Sequence, residues 1–143
     1  MCSIFHKNKP VEILPTGGEQ IFCGELLGLL SRHFPDAEIY LSDKTSTLCT
    51  YDDVAYVVAR AKMDQYTYEA EVMDCDDFAM VLLGEFSKPP WSALTVGLVW
   101  TDKHALNCCV TEDREILFIE PQTGEISNKL AGWQGLLVRL III

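Results

Sequence analysis

From Asp74 onward the apolar residues fall into a helical rhythm. Phe78, Leu82 and Phe86 align on one face, with Ala79 and Leu83 beside them. Asp74 is a favoured N-cap type, and Asp76 with Asp77 puts two carboxylates into the first turn, where the positive end of the helix dipole attracts them. The same rhythm over 20–33, with a stripe of Ile21, Phe22, Leu26, Leu29 and Leu30, predicts an earlier helix that Pro35 terminates. A second helix is expected from Tyr51 to about Lys62. Between these, 38–41 alternates like a short strand, 42–50 is polar and reads as loop, and 64–72 is a connector rich in Tyr and Glu. Residues 1–18, with Pro10, Pro15 and the Gly17-Gly18 pair, read as an irregular lead-in.

Lys88-Pro89-Pro90 ends helical structure, and the period then changes to that of strands. The runs 93–100, 104–110, 115–119 and 136–143 are β-type, the last rich in β-branched residues. Helices first and a mainly antiparallel sheet afterwards indicate the α+β class, in a single domain spanning 1–143 with no linker and no internal repeat.

Composition narrows the function. The net charge of −10 argues against a nucleic-acid or anionic-membrane partner, since both require a basic surface. The run Leu136 to Ile143 includes Arg139 and is far shorter than the ~20 apolar residues a spanning helix needs. The first residues lack an apolar signal core. The six cysteines, at 2, 23, 49, 75, 108 and 109, match neither a disulfide framework nor a zinc pattern. A reducing, cytoplasmic setting with no metal and no cofactor is the expectation. Cys108 and Cys109 must face opposite ways if they lie on a strand.

Three residues suggest chemistry. Cys75 stands at the mouth of the predicted helix, where backbone N–H groups favour a thiolate while the neighbouring aspartates oppose it. A thiol there is a useful nucleophile only with a base nearby, and His104, at the start of a β-run, is the suitable histidine. If the hairpin folds symmetrically about residue 112, His104 faces Glu120 on one side of the sheet. That parity requires an odd-length loop, of three or five residues, or a bulge. Glu120 can then hold the ring while its other nitrogen reaches the thiol, as in acyl transfer. Consecutive aspartates diverge around a helix, so Asp74, Asp76 and Asp77 are explained by the dipole without a metal.

Asp74-Cys75-Asp76-Asp77-Phe78-Ala79, then His104-Ala105, then Glu120-Pro121 resembles the transglutaminase-like superfamily, most closely the bacterial transglutaminase-like cysteine proteinases. The likeness covers about residues 64–124. It implies a papain-like α+β fold, with N-terminal helices and the nucleophile at a helix N-terminus packed on a mainly antiparallel sheet. It also implies Cys75 as nucleophile, His104 as base and Glu120 as orienting acid, in a cysteine peptidase, amidase or transglutaminase-like enzyme acting on a peptide or protein substrate. The chain departs from that pattern with Glu at the third position, where Asp is usual, and with Asp74 where glycine commonly precedes the helix. Gln65, Tyr66 and Tyr68 are the candidate oxyanion donors, since such a donor must lie beside the Cys75 N–H. The competing expectation is a non-catalytic binding or inhibitory module that uses the same cleft.

Overall fold

The computed structural model describes residues 13–143, so most of the expected lead-in, 1–12, lies outside the described residues. The first element is a strand, β1 (Gln20–Phe22), which runs into helix α1 (Cys23–His33). The expected 20–33 helix therefore starts three residues late. Ile21 is buried, and β1 pairs antiparallel with β3 (Thr45–Thr47), which lies inside the stretch read as loop. Strand β2 (Glu38–Tyr40) falls in the expected place. Helix α2 (Tyr51–Arg60) begins where Thr50 accepts the Asp53 N–H at 3.2 Å. A single 3₁₀ turn, Met63–Gln65, opens the connector to α3 (Cys75–Phe86).

The strand-rich half follows: β4 (Val96–Thr101), β5 (Ala105–Val110), β6 (Ile116–Ile119), β7 (Ile126–Ser127) and β8 (Val138–Ile142). Six strands form one sheet in the order β2-β8-β4-β5-β6-β7, all neighbours antiparallel except the parallel pair β2–β8. The expected arrangement, helices as an N-terminal block followed by a sheet, does not hold. Strands β1, β2 and β3 are interleaved with the helices, and β2 crosses back to join the last strand of the chain. Strands β1 and β3 are too short to show alternation against the stronger helical stripes around them.

Both faces of the central strands are buried, and the alternation of side chains partitions the core. Leu106, Cys108 and Val110 of β5 join Leu26, Leu29 and Leu30 of α1 in one cluster. Cys109 joins Val54 and Val57 of α2 and Phe78, Leu82 and Phe86 of α3 in the other. The adjacent cysteines thus face opposite layers, as strand geometry demands. Asn107, fully buried, donates from its amide to the Ala79 carbonyl at 2.9 Å, fastening the middle of α3 to the middle of β5.

Two positions fix the packing. A Cβ at Gly97 would collide with the Ile142 carbonyl and with Ile143, so glycine is what lets β4 and the chain end of β8 lie this close. Asp53, buried at 3% exposure, accepts the Thr16 N–H, the Gly17 N–H and the Thr16 hydroxyl, tying residues 16–17 to α2. Burial raises its carboxyl, but these bonds together outweigh that cost and hold it below the ordinary aspartate value.

Gly97→Ala is expected to destabilise the protein by about 3 kcal/mol or more, measured by urea denaturation, because backbone rather than a movable side chain opposes the added methyl. Asp53 contributes stability that is present above the ordinary aspartate value of about 3.9 and is lost as pH falls through its lower folded value. The stability gap between wild type and Asp53→Asn should therefore close on acidification. A gap that stays constant would show that Asp53 is not ionised in the fold.

Candidate functional site

Helix α3 delivers Cys75 as its first residue, half-buried. The Asp74 N–H donates to Asp77 Oδ2 at 3.1 Å, one half of a capping box, while the Asp74 carboxylate turns back to accept the Glu71 N–H at 3.2 Å. Glu71 sits in the left-handed region, with φ 62°, at the tight turn that precedes the helix. The Asp76 carboxyl beside Asp74 holds it below the usual value, and the Asp74 carboxyl together with burial pushes Asp76 above it. Donor atoms of Asp74, Cys75 and Asp76 lie within 4.8 Å of one another. Carboxylates gathered at a helix mouth are accounted for by the dipole and by each other, and this cluster carries no metal assignment.

His104 ends the turn between β4 and β5, which is built around one hydroxyl. Thr101 Oγ1 accepts the His104 N–H at 2.9 Å and the Lys103 N–H at 3.1 Å, and itself donates to the Gln134 carbonyl. Gly135, with φ +87°, packs so closely on Thr101 and Asp102 that a Cβ would overlap both side chains. Segment 131–135 is thereby held over the histidine.

The ring nitrogen Nε2 of His104 meets Glu120 Oε2 at 2.9 Å. Glu120 is 3% exposed, and it also accepts the Gln134 side-chain amide at 3.0 Å and the Gln122 N–H at 3.4 Å. Burial works to raise the Glu120 carboxyl, but the bonds from His104 and Gln134, with the charge of the ring, together hold it below the usual glutamate value. Trp133 covers the ring, its centroid 5.1 Å from that of His104 at an interplanar angle of 60°, while remaining 60% exposed itself.

The expected pairing of His104 with Glu120 is present, but in a different register. Asn107 faces Ile119 and Val110 faces Ile116, so the hairpin is symmetric about residue 113 and position 120 lies level with 106. The turn is the odd-length kind, with Thr111 N–H bonded to the Glu115 carbonyl and Arg114 left-handed at φ 63°. Parity is therefore kept, and His104 and Glu120 form a diagonal pair. Diagonal neighbours are about 7–8 Å apart at the backbone, a gap that the additional methylene of Glu helps to close.

Cys75 reaches the same end of the sheet. The later half of α3, Leu83 and Ser87, borders a cavity with Val96 and Ile143 at the opposite end, and Ala79 sits on Asn107 at the middle. The helix mouth accordingly points toward the Trp100–Ala105 end. No hydrogen bond joins the Cys75 thiol to His104 or to any other described residue. The three residues are gathered at one end of the sheet, but only two of them are coupled. Gln65, Tyr66 and Tyr68 are all exposed. The Tyr66 ring packs edge-on against Phe78 at 6.3 Å, a structural contact, and none of the three donates a side-chain hydrogen bond among the described residues. Sequence reasoning missed Gln134 and Trp133. A lone glutamine between tryptophan and glycine, Trp133-Gln134-Gly135, was the available signal.

No family model and no curated sequence matches the chain. Solved structures do. The PSL1a-E64 complex superposes with a TM-score of 0.74 at 24% identity, covering 87% of this chain and 50% of that one. The Polyporus squamosus lectin bound to the human-type influenza-binding epitope Neu5Aca2-6Galb1-4GlcNAc gives a TM-score of 0.71 at 24% identity, covering 87% and 49%. This chain therefore spans about half the length of those it resembles, and at this identity the likeness shows a shared fold. It corrects the expectation of transglutaminase-like, papain-like membership, because the solved structures it resembles are those of PSL1a and the Polyporus squamosus lectin. The readings as a hydrolase or thiol protease, with Cys75, His104 and Glu120 hydrolysing an amide in a peptide or protein substrate, fall with it.

Shortening the buried carboxylate tests the diagonal geometry. Glu120→Asp should cost about 1–3 kcal/mol in urea denaturation, since the partners are buried and lose a charge-assisted acceptor. Because its folded pKa lies below the unfolded one, ionised Glu120 contributes stability above about pH 4.3 that is lost as pH falls through the folded value. The advantage of wild type over Glu120→Gln should shrink across that window. An aspartate variant as stable as wild type would mean that the pair is not a strained-length diagonal.

Proposed function

We propose that this chain is a binding module that holds a small polar ligand, not nucleic acid, at the Cys75–His104–Trp133 end of the sheet and breaks no bond in it. One observation carries this reading: the exposed Trp133 ring is laid against an imidazole whose orientation is set from beneath by the buried pair Glu120 and Gln134. A broad aromatic face beside a few fixed polar groups is how small-ligand sites combine contact area with orientation. Helix α3 runs with its N-terminal turn, headed by Cys75, toward the same end of the sheet.

The resemblance to lectin chains supports binding over chemistry, and the named complexes supply two probes, the trisaccharide Neu5Aca2-6Galb1-4GlcNAc and E64. Because this chain matches only half of each similar chain, both are tested here. Calorimetric titration of the full chain should show saturable, reversible binding of at least one with the intact mass of the chain unchanged, because an adduct of the E64 epoxide on Cys75 would mean a reacting thiol and overturn the reading. Trp133→Ala should weaken that binding about tenfold or more, the loss expected for a well-packed aromatic anchor, while leaving the urea midpoint within error, since Trp133 is largely exposed. If neither probe binds, or if the alanine variant binds as well as wild type, the site proposed here is not the binding surface.

A further inference from the structure

The C-terminal ends of α2 and α3 meet around a second cavity, of about 490 Å³, that plays no part in the site above. Two aromatic rings line it: Tyr56 and Trp91, with centroids 5.4 Å apart and tilted by 38°. The Arg60 guanidinium lies over the Tyr56 ring, 5.3 Å from its centroid. Lys88 stands on the rim, paired with Glu85 at 2.5 Å, and Pro90 closes one wall.

Cations at helix C-termini have an ordinary structural use, because the terminal carbonyls attract them. Arg60 does not take it up. Among the described residues its guanidinium forms no ion pair and donates no hydrogen bond to a helix carbonyl. Instead it lies over an aromatic face, its planar N–H fork engaged by no described residue, a presentation that matches a carboxylate. In a chain of net charge −10, an arginine with no acidic partner among the described residues is a local exception to the surrounding field. With Lys88 and Glu85 offsetting each other, the pocket carries a net positive charge over an aromatic floor.

We propose that this pocket is a separate binding site for a small carboxylate attached to a flat ring, with the carboxylate on Arg60 and the ring against Trp91 and Tyr56. The acceptor geometry asks for a planar anion, and the aromatic floor asks for a flat apolar body, so neither half of such a ligand suffices alone. The helix carbonyl ends work against any anion here, so the ring contact is needed to offset them.

Phenylacetate is the probe, with acetate (no ring) and phenethylamine (same ring, opposite charge) as controls. The full chain is titrated while tryptophan fluorescence and backbone amide shifts are followed. Saturable binding of phenylacetate in about the millimolar range is expected for a ligand of this size. The shifts should centre on Tyr56, Arg60 and Trp91. Arg60→Gln, at an exposed position, should weaken binding about tenfold or more, the loss typical of a charge-assisted bond. The proposal is overturned if phenylacetate fails to saturate by about 20 mM, well above the weakest affinity expected for a ligand of this size. It is equally overturned if phenethylamine binds as well, if Arg60→Gln binds unchanged, or if the shifts centre on His104 and Trp133.

Discussion

The buried carboxylate of Glu120 is the constraint on which one whole end of this protein depends. An ionised group at 3% exposure is costly unless its oxygens are met by donors. Here they are met from three separate stretches of chain: the His104 ring from the start of β5, the Gln134 amide from the segment before β8, and the Gln122 N–H from the turn after β6. Removing any one donor leaves a buried charge short of a partner. The arrangement therefore converts an electrostatic cost into a positional constraint, and it fixes where His104 and Trp133 stand relative to α3. Thr101 and Gly135 serve the same end from outside, one by accepting the turn N–H groups and donating to the Gln134 carbonyl, the other by its lack of a side chain.

Elements with a local physical signal were legible in the sequence. Asp74, a favoured N-cap type followed by first-turn carboxylates, marks a helix start, and α3 begins there; the start expected at Tyr51 is also where α2 begins. The β4, β5 and β6 runs were visible as apolar stretches because those strands are buried on both faces or nearly so, and β8 was visible by its β-branched residues although only Val138 and Ile141 of it are buried. What escaped was set by partners distant in the chain. Strands β1 and β3 are three residues each and exist because they pair with one another; Thr45-Ser46-Thr47 has no apolar period to announce it. The crossing of β2 to β8, which undoes the expected order of helices before sheet, is likewise a fact about residues a hundred positions apart.

The candidate site shows the same division. Parity along a strand is a property of two residues and a loop length, so the His104–Glu120 pair could be anticipated even though the register was displaced by one position about the turn. The link from His104 to Cys75 depends on how α3 lies across the sheet, and no spacing in the sequence encodes it. Both residues arrive at the same end, but the ring's bonded nitrogen is engaged by Glu120 and the thiol forms no hydrogen bond among the described residues. A motif of residue types in the right order thus survived as a place in the fold without its expected coupling.

That outcome follows from where the two interactions are anchored. The His104–Glu120 pair is held by the β5–β6 ladder, whose hydrogen bonds fix side-chain positions, and by Gln134, which has no other buried acceptor to serve. Cys75 is held only by the first turn of α3, whose capping bonds involve Asp74, Asp77 and Glu71 and constrain the backbone rather than the thiol. The middle of the helix is fastened through Asn107, one turn away from Cys75. The polar pair is thus fixed by the sheet, while Cys75 is fixed only through its backbone, which is why residue order in the sequence anticipates the first contact and not the second.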